Sequence, residues 1–357
     1  MIFKKRFPVL LLSYLFILDI ILLSIWLQHR FIKQPVESPI QLKGADNFVN
    51  FGRNLNNLVN QKGISYTINL IKEGLQKGDI TINQCHSLNH LLGHVAYAKF
   101  PDNFDILLKS AENNLLLCGG AYPHGIEAEI VDERDDPKAT LNNFCEELLK
   151  KIPGFPCYHG AGHSFMQNSS DLNESLINCD RLQEGPTRDL SNCYRGVFSE
   201  YAFQVDGVDG DTGQPFPGGP KIKLPTPNPL DFCQTLEEKT YDACASQLGR
   251  LIFNVAKSDN IFEECVQSSY SSTIQIACVR IVSAVIAQRE LTQTDTVNVP
   301  SYILTLSDGL RMAYIEGIAG EAQAFVNSGV TKNWQPICSS FSESQDIQRC
   351  TRLFGGS

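Results

Sequence analysis

Six of the seven histidines fall between residues 86 and 163, and none follows His163. They form three clusters: Cys85-His86-Ser-Leu-Asn-His90-Leu-Leu-Gly-His94, then Tyr122-Pro-His124-Gly-Ile-Glu127, then Cys157-Tyr-His159-Gly-Ala-Gly-His163. Imidazole is the commonest protein ligand of transition metals and titrates near neutral pH, so this crowding points to a site. On a helix, His86, His90 and His94 are offset by only about 40° from one to the next and share a face. Their axial spread is about 12 Å, so one ion is gripped by two adjacent members, not by all three. His159 and His163 repeat the spacing, and His124 with Glu127 makes an i, i+3 pair.

If the three segments neighbour one another, the metal-ligand candidates are His86, His90, His94, His124, His159 and His163. Such a set suffices for one closed site with a base beside it, or for two ions. Nitrogen-rich ligation favours a transition metal, zinc first and then copper or iron, over calcium or magnesium. Three protein ligands and an open position activate water, which makes metal-dependent hydrolysis the expected reaction. Glu127 is the first candidate for general base and Glu200 the second. The criterion is geometric: nitrogens of at least three clustered histidines must come close enough to share an ion after rotamer adjustment.

Each histidine taken singly is better explained as a helix cap or a buried hydrogen-bonding group. The chain contains its own control. Cys193-Tyr-Arg195-Gly stands where Cys157-Tyr-His159-Gly stood, so the framework does not require imidazole there. Two other functions fit the same residues. One is a non-catalytic solenoid that binds a peptide, glycan or protein partner at the cell surface; the other is metal capture or delivery.

The elements that must position these residues are read from the cysteines. All 12 lie between Cys85 and Cys350. Cys145 and Cys157, Cys179 and Cys193, Cys233 and Cys244, Cys265 and Cys278, and Cys338 and Cys350 are spaced alike, which leaves Cys85 with Cys118. An even number arranged in this way implies disulfides and an oxidising compartment. Apolar residues around them recur at helical spacing, as in Leu251, Ile252 and Val255, while strand-like alternation is scarce. From Cys145 to Cys179 is about the length of one helical hairpin. The expected fold is therefore all-α, a disulfide-stapled helical-hairpin repeat in which each cysteine pair joins two adjacent helices. The layout resembles that of cysteine-rich, tetratricopeptide-like solenoids. The resemblance is one of architecture, and no functional residue is carried over from it.

Gly93, Gly125, Gly160, Gly162 and Gly196 lie inside these helices, where glycine costs about 1 kcal/mol relative to alanine. Gly196 and Gly249 recur where histidine is absent, which assigns the glycines to close helix crossings.

Ahead of the repeat, Lys4-Lys5-Arg6 precedes the apolar stretch Pro8 to Leu27, whose one strongly polar member is Asp19. A helix of that length spans about 30 Å, the thickness of a bilayer core. The expectation is a signal anchor: 1–28 as cytoplasmic stub and transmembrane helix, 29–47 as stalk, and a C-terminal domain held outside the cytoplasm. The remainder divides into 48–204, rich in histidine and cysteine, 205–231, an exposed Pro/Gly-rich insertion, and 232–357, cysteine-paired and without histidine. A net charge of −9 and no basic stripe exclude a nucleic-acid surface. Asp206, Asp209 and Asp211 form only part of a calcium loop, with no closing glutamate. No serine-hydrolase elbow, phosphate loop or haem-attachment motif is present.

Overall fold

A computed structural model describes residues 42, 45–182, 190–210, 214–256, 261–294, 296–330 and 333–354. The proposed anchor at Pro8 to Leu27 lies outside these residues. Among the described residues, no helix is long and apolar enough to cross a membrane.

Leu42–Ser357 form one unit, and the regular structure of its described residues is helical apart from an isolated bridge between Val208 and Pro215. In chain order the helices are α1 (Ala45–Lys62), α2 (Ile64–Gln76), α3 (Ile82–Lys99), α4 (Phe104–Ser110), α5 (Ala121–Asp132), α6 (Lys138–Lys151), α7 (His159–Ser169) and α8 (Leu172–Asp180). There follow α9 (Ser191–Asp206), α10 (Pro229–Gln234), α11 (Tyr241–Leu248), α12 (Phe262–Cys265), α13 (Ser272–Leu291), α14 (Asp308–Asn327), α15 (Gln335–Cys338) and α16 (Ser344–Leu353).

Local sequence sets many of these boundaries. Thr81 and Gln84 form a reciprocal capping box at the start of α3. Asp171 caps α8 and Ser271 caps α13, each accepting a backbone N–H with its side-chain oxygen. Asn228 caps α10, with Pro229 at the first helical position, where its missing N–H costs nothing.

The longer helices pack in sequence: α3 on α5, α5 on α7, α7 on α9, α9 on α11, α11 on α13 and α13 on α14. The row then returns to its beginning. The Cys118 N–H donates to Ser328 Oγ at 3.2 Å, and Gln288 Nε2 donates to Asn83 Oδ1 at 3.1 Å. Both contacts join residues more than 200 positions apart.

Glycine sets the spacing within the row. A Cβ on Gly93 would strike the backbone of Tyr122 and Ile126; one on Gly125 would collide with the His90 carbonyl, and one on Gly160 with that of His124. Gly162 meets the Cys193 carbonyl and Gly196 that of His159. The helices therefore cross backbone against backbone, as close crossings require. Gly249 differs, because its neighbour is the Ile281 side chain.

Five disulfides staple the unit: Cys85–Cys118, Cys179–Cys193, Cys233–Cys244, Cys265–Cys278 and Cys338–Cys350. The last four each join a short helix to the helix that follows it, and they fit an oxidising compartment. The sixth expected pair is corrected. Cys145 and Cys157 are thiols, both buried, with their sulfurs and a Glu127 oxygen within 4.8 Å of one another. Many of the described residues of 205–231 are exposed, while Val208 and Gly210 line a half-open pocket and Gly210 packs against the Glu200 carboxylate.

Candidate metal centre

The six clustered histidines lie on α3, α5 and α7, and the structure brings them together. Their rings follow a circuit: His86 to His90 at 6.2 Å between centroids, His90 to His163 at 5.8 Å, and His163 to His159 at 4.9 Å. His159 to His124 at 4.7 Å and His124 back to His86 at 6.4 Å close it. His94 attaches at His90, 5.1 Å away. The glycine crossings are the cause. With His90, His124 and His159 each contributing the carbonyl against which a neighbouring glycine rests, their helices are too close for the imidazoles to point to separate surfaces.

Three rings are oriented through Nδ1. His86 Nδ1 lies 2.9 Å from the Cys118 carbonyl, His94 Nδ1 2.6 Å from Glu129 Oε2, and His163 Nδ1 3.5 Å from Glu200 Oε2. A carbonyl or carboxylate at Nδ1 selects the tautomer that offers Nε2 as a ligand and raises its basicity. The Nε2 atoms of His159 and His163 face each other at 3.2 Å. Two imidazoles on one tetrahedral zinc, each about 2.0–2.1 Å from it, hold their nitrogens about 3.4 Å apart. His124 is buried, and neither of its ring nitrogens has a hydrogen-bond partner.

Burial drives the His124 and His159 ring pKa values well below the ordinary histidine value. Repulsion from the surrounding imidazoles adds to it, His159 foremost for His124 and His163 foremost for His159. Both rings are therefore neutral at physiological pH, the form that ligates metals.

Glu127, the first candidate for general base, has a structural task here. Tyr158, immediately before α7, takes a left-handed conformation (φ 70°), uncommon for a bulky residue and costly unless held in place. Glu127 holds it. Its Oε1 accepts the Tyr158 N–H at 3.0 Å and its Oε2 the Gly160 N–H at 2.8 Å, so it caps a helix that has no side-chain cap of its own. Burial raises the Glu127 carboxyl to about 8, against the opposing pull of those N–H donors. Glu200 remains with the histidines, buried beside His163 and accepting from Gln204 Nε2 at 3.2 Å.

Two further carboxylates had no signal in the sequence. His94, Glu129 and Asp132 offer ligand atoms within 4.8 Å of one another, at the rim of the histidine group. Glu129 is five residues from His124, and only the crossing of α3 over α5 pairs it with His94. Asp132 also accepts hydrogen bonds from Ser164 and Asn168.

No protein-family model, no curated protein and no solved structure matches this chain. The chemistry is argued from the site alone.

Proposed function

We propose that this is a membrane-tethered, extracytoplasmic helical-repeat protein whose histidine circuit binds a transition metal, zinc first, and uses it to activate water for hydrolysis. The reading rests chiefly on one observation: a buried His124 with both nitrogens unsatisfied, inside a circuit of other imidazoles. A buried polar group without a partner costs about 1–3 kcal/mol, and a neutral imidazole surrounded by its own kind finds that partner best in a cation. The Nε2 spacing of His159 and His163 and the anchored Nδ1 atoms of His86, His94 and His163 support the same reading.

When bound, the metal would supply a Lewis acid and lower the pKa of a coordinated water. The chain's own residues provide the rest. His124, His159 and His163 would ligate after rotation of their rings, since as they stand no three histidines place ligand atoms within 4.8 Å of one another. Glu200 would orient His163 and is the carboxylate available as base, since both oxygens of Glu127 accept backbone N–H groups. The stapled row, tethered by the Pro8 to Leu27 segment, would hold this centre outside the cytoplasm.

Elemental analysis of the purified full-length protein is the test. A transition metal at one or two per chain, retained through dialysis and lost in a His124→Ala, His159→Ala variant that still folds, is the expected result. Protein that neither retains nor takes up zinc, copper or iron would overturn it and leave a partner-binding scaffold. Metal uptake without any chelator-sensitive hydrolysis of ester or amide substrates would reduce the function to metal capture or delivery.

A further inference from the structure

A half-open pocket of about 730 Å³ lies among the helices of the row, within the size range of small-molecule sites. Asn83 and His86 of α3 line it, so it borders the histidine circuit; Phe203, Ile281 and Glu321 show that α9, α13 and α14 complete its wall. Closure of the helix row creates this space, and the first turn of the 205–231 segment covers part of it.

One residue in its wall lacks what its chemistry demands. Arg250 lies flat against the Phe203 ring, its guanidinium carbon 4.3 Å from the ring centroid. Its Nε and Nη2 atoms are shut off from solvent and have no hydrogen-bond partner. Asp206 and Glu200 act on it only through space, and burial pulls its pKa below the ordinary arginine value. A buried guanidinium left in this state is destabilising, because arginine keeps its charge and its donors under all ordinary conditions. Two other arginines of the unit, by contrast, have carboxylate partners: Arg195 with Asp242 at 2.6 Å, and Arg280 with Glu316 at 2.9 Å. A planar fork stacked on an aromatic ring and missing its acceptors is the arrangement that receives a carboxylate.

We propose that this cavity binds a small organic monocarboxylate. Its carboxylate would pair with Arg250, its hydrocarbon part would lie along Leu251, Ile281 and Val285, and its far end would reach His86. Two acids in the same wall, Asp206 and Glu321, offset the two guanidiniums of Arg250 and Arg289, so the wall offers no surplus positive charge for a dianion such as a phosphate monoester. The apolar side chains between the polar ends favour a ligand with a hydrocarbon body. That the ligand is also the substrate of the histidine centre rests on the function proposed above; that it binds does not.

The test is calorimetric titration of the full-length, metal-stripped protein with 3-phenylpropanoate, 3-phenylpropanamide and phenyl phosphate. The acid is expected to bind at least about tenfold more tightly than the amide or the phosphate, with Arg250→Gln removing that preference. Ile281→Trp, which leaves Arg250 in place and fills the cavity, should abolish binding altogether. Equal affinity for acid and amide, tighter phosphate binding, or unchanged binding in both variants would overturn the proposal. Carboxylate binding that persists in the His124→Ala, His159→Ala variant keeps it separate from the metal reading. Should Arg250→Gln fail to fold, the acid-to-amide ratio of the parent protein and the Ile281→Trp result still decide.

Discussion

The two halves of the helix row use one backbone device and fill it with opposite chemistry. In the first half, Gly125, Gly160 and Gly196 rest on the carbonyls of His90, His124 and His159. In the second, Gly317 rests on the carbonyl of Arg280. The residues just before these glycines are His124, His159 and Arg195 in one half and Glu316 in the other. From Arg195 onward they form an ion-pair ladder: Arg195 to Asp242, Asp242 to Arg280 at 3.4 Å, and Arg280 to Glu316. That ladder supplies its own counter-charges. The histidine ladder meets carboxylates at His94 and His163 and leaves His124 unsatisfied. Close crossing is thus a property of the scaffold, and the unsatisfied buried imidazole belongs to one half alone.

Breaking the shared device should have the largest effect. Gly160→Ala drives a Cβ into the His124 carbonyl, with backbone on both sides and no flexible atom to yield. It is expected to cost more than about 3 kcal/mol in urea unfolding, or to prevent folding. Next comes the chemistry that separates the halves. If the proposed metal function holds, His124→Ala should lower metal retention at least about a hundredfold while the helical circular dichroism persists, since it removes a proposed ligand. Arg280→Gln, at the corresponding place in the other ladder, should leave metal content unchanged and cost about 1 kcal/mol or less, because its ion pairs are partly exposed.

Removing an orienting carboxylate tests a smaller effect. Glu200→Gln should weaken metal binding about 10- to 100-fold in competition with a chromogenic chelator. Each half also buries a carboxyl, and the later one gives a pH test. Burial raises Glu321 to about 7, above its ordinary value of 4.5. Between those pH values the folded chain holds a proton that the unfolded chain releases, so this contribution to stability declines as pH rises through the window. Glu321→Gln should therefore gain about 1–2 kcal/mol at pH 8 relative to pH 5 when unfolding free energies are compared with the parent. The smallest expected effect is Gly320→Ala on α14, an exposed position with open space around it, which should stabilise by up to about 1 kcal/mol.

The histidine faces were legible because an i, i+4 spacing is a local property of any helix. The disulfide partners were legible for the same reason: a short helix and its successor bring cysteines about a dozen residues apart within bonding reach. Cys145 and Cys157 share that spacing and are thiols nonetheless, packed beside Glu127, so spacing permits a bond without deciding its state. Glu127 was legible as a special carboxylate but not in its role, which depends on Tyr158 and Gly160 of the next helix. Glu129 and Arg250 were not legible at all. Neither belongs to a local pattern, and each matters only through helices that are remote in the chain.

Composition and periodicity by themselves decided the all-helical class, the stapled hairpins and which imidazoles share a face, since all three follow from contacts within about one helical turn or one hairpin. Tertiary structure alone decided that five imidazoles close a circuit, that Glu127 caps α7, and that the row's return to Cys118 and Asn83 leaves a half-open pocket. Those outcomes depend on helices meeting across long stretches of chain, where the partner of any residue is set by the path of the whole fold.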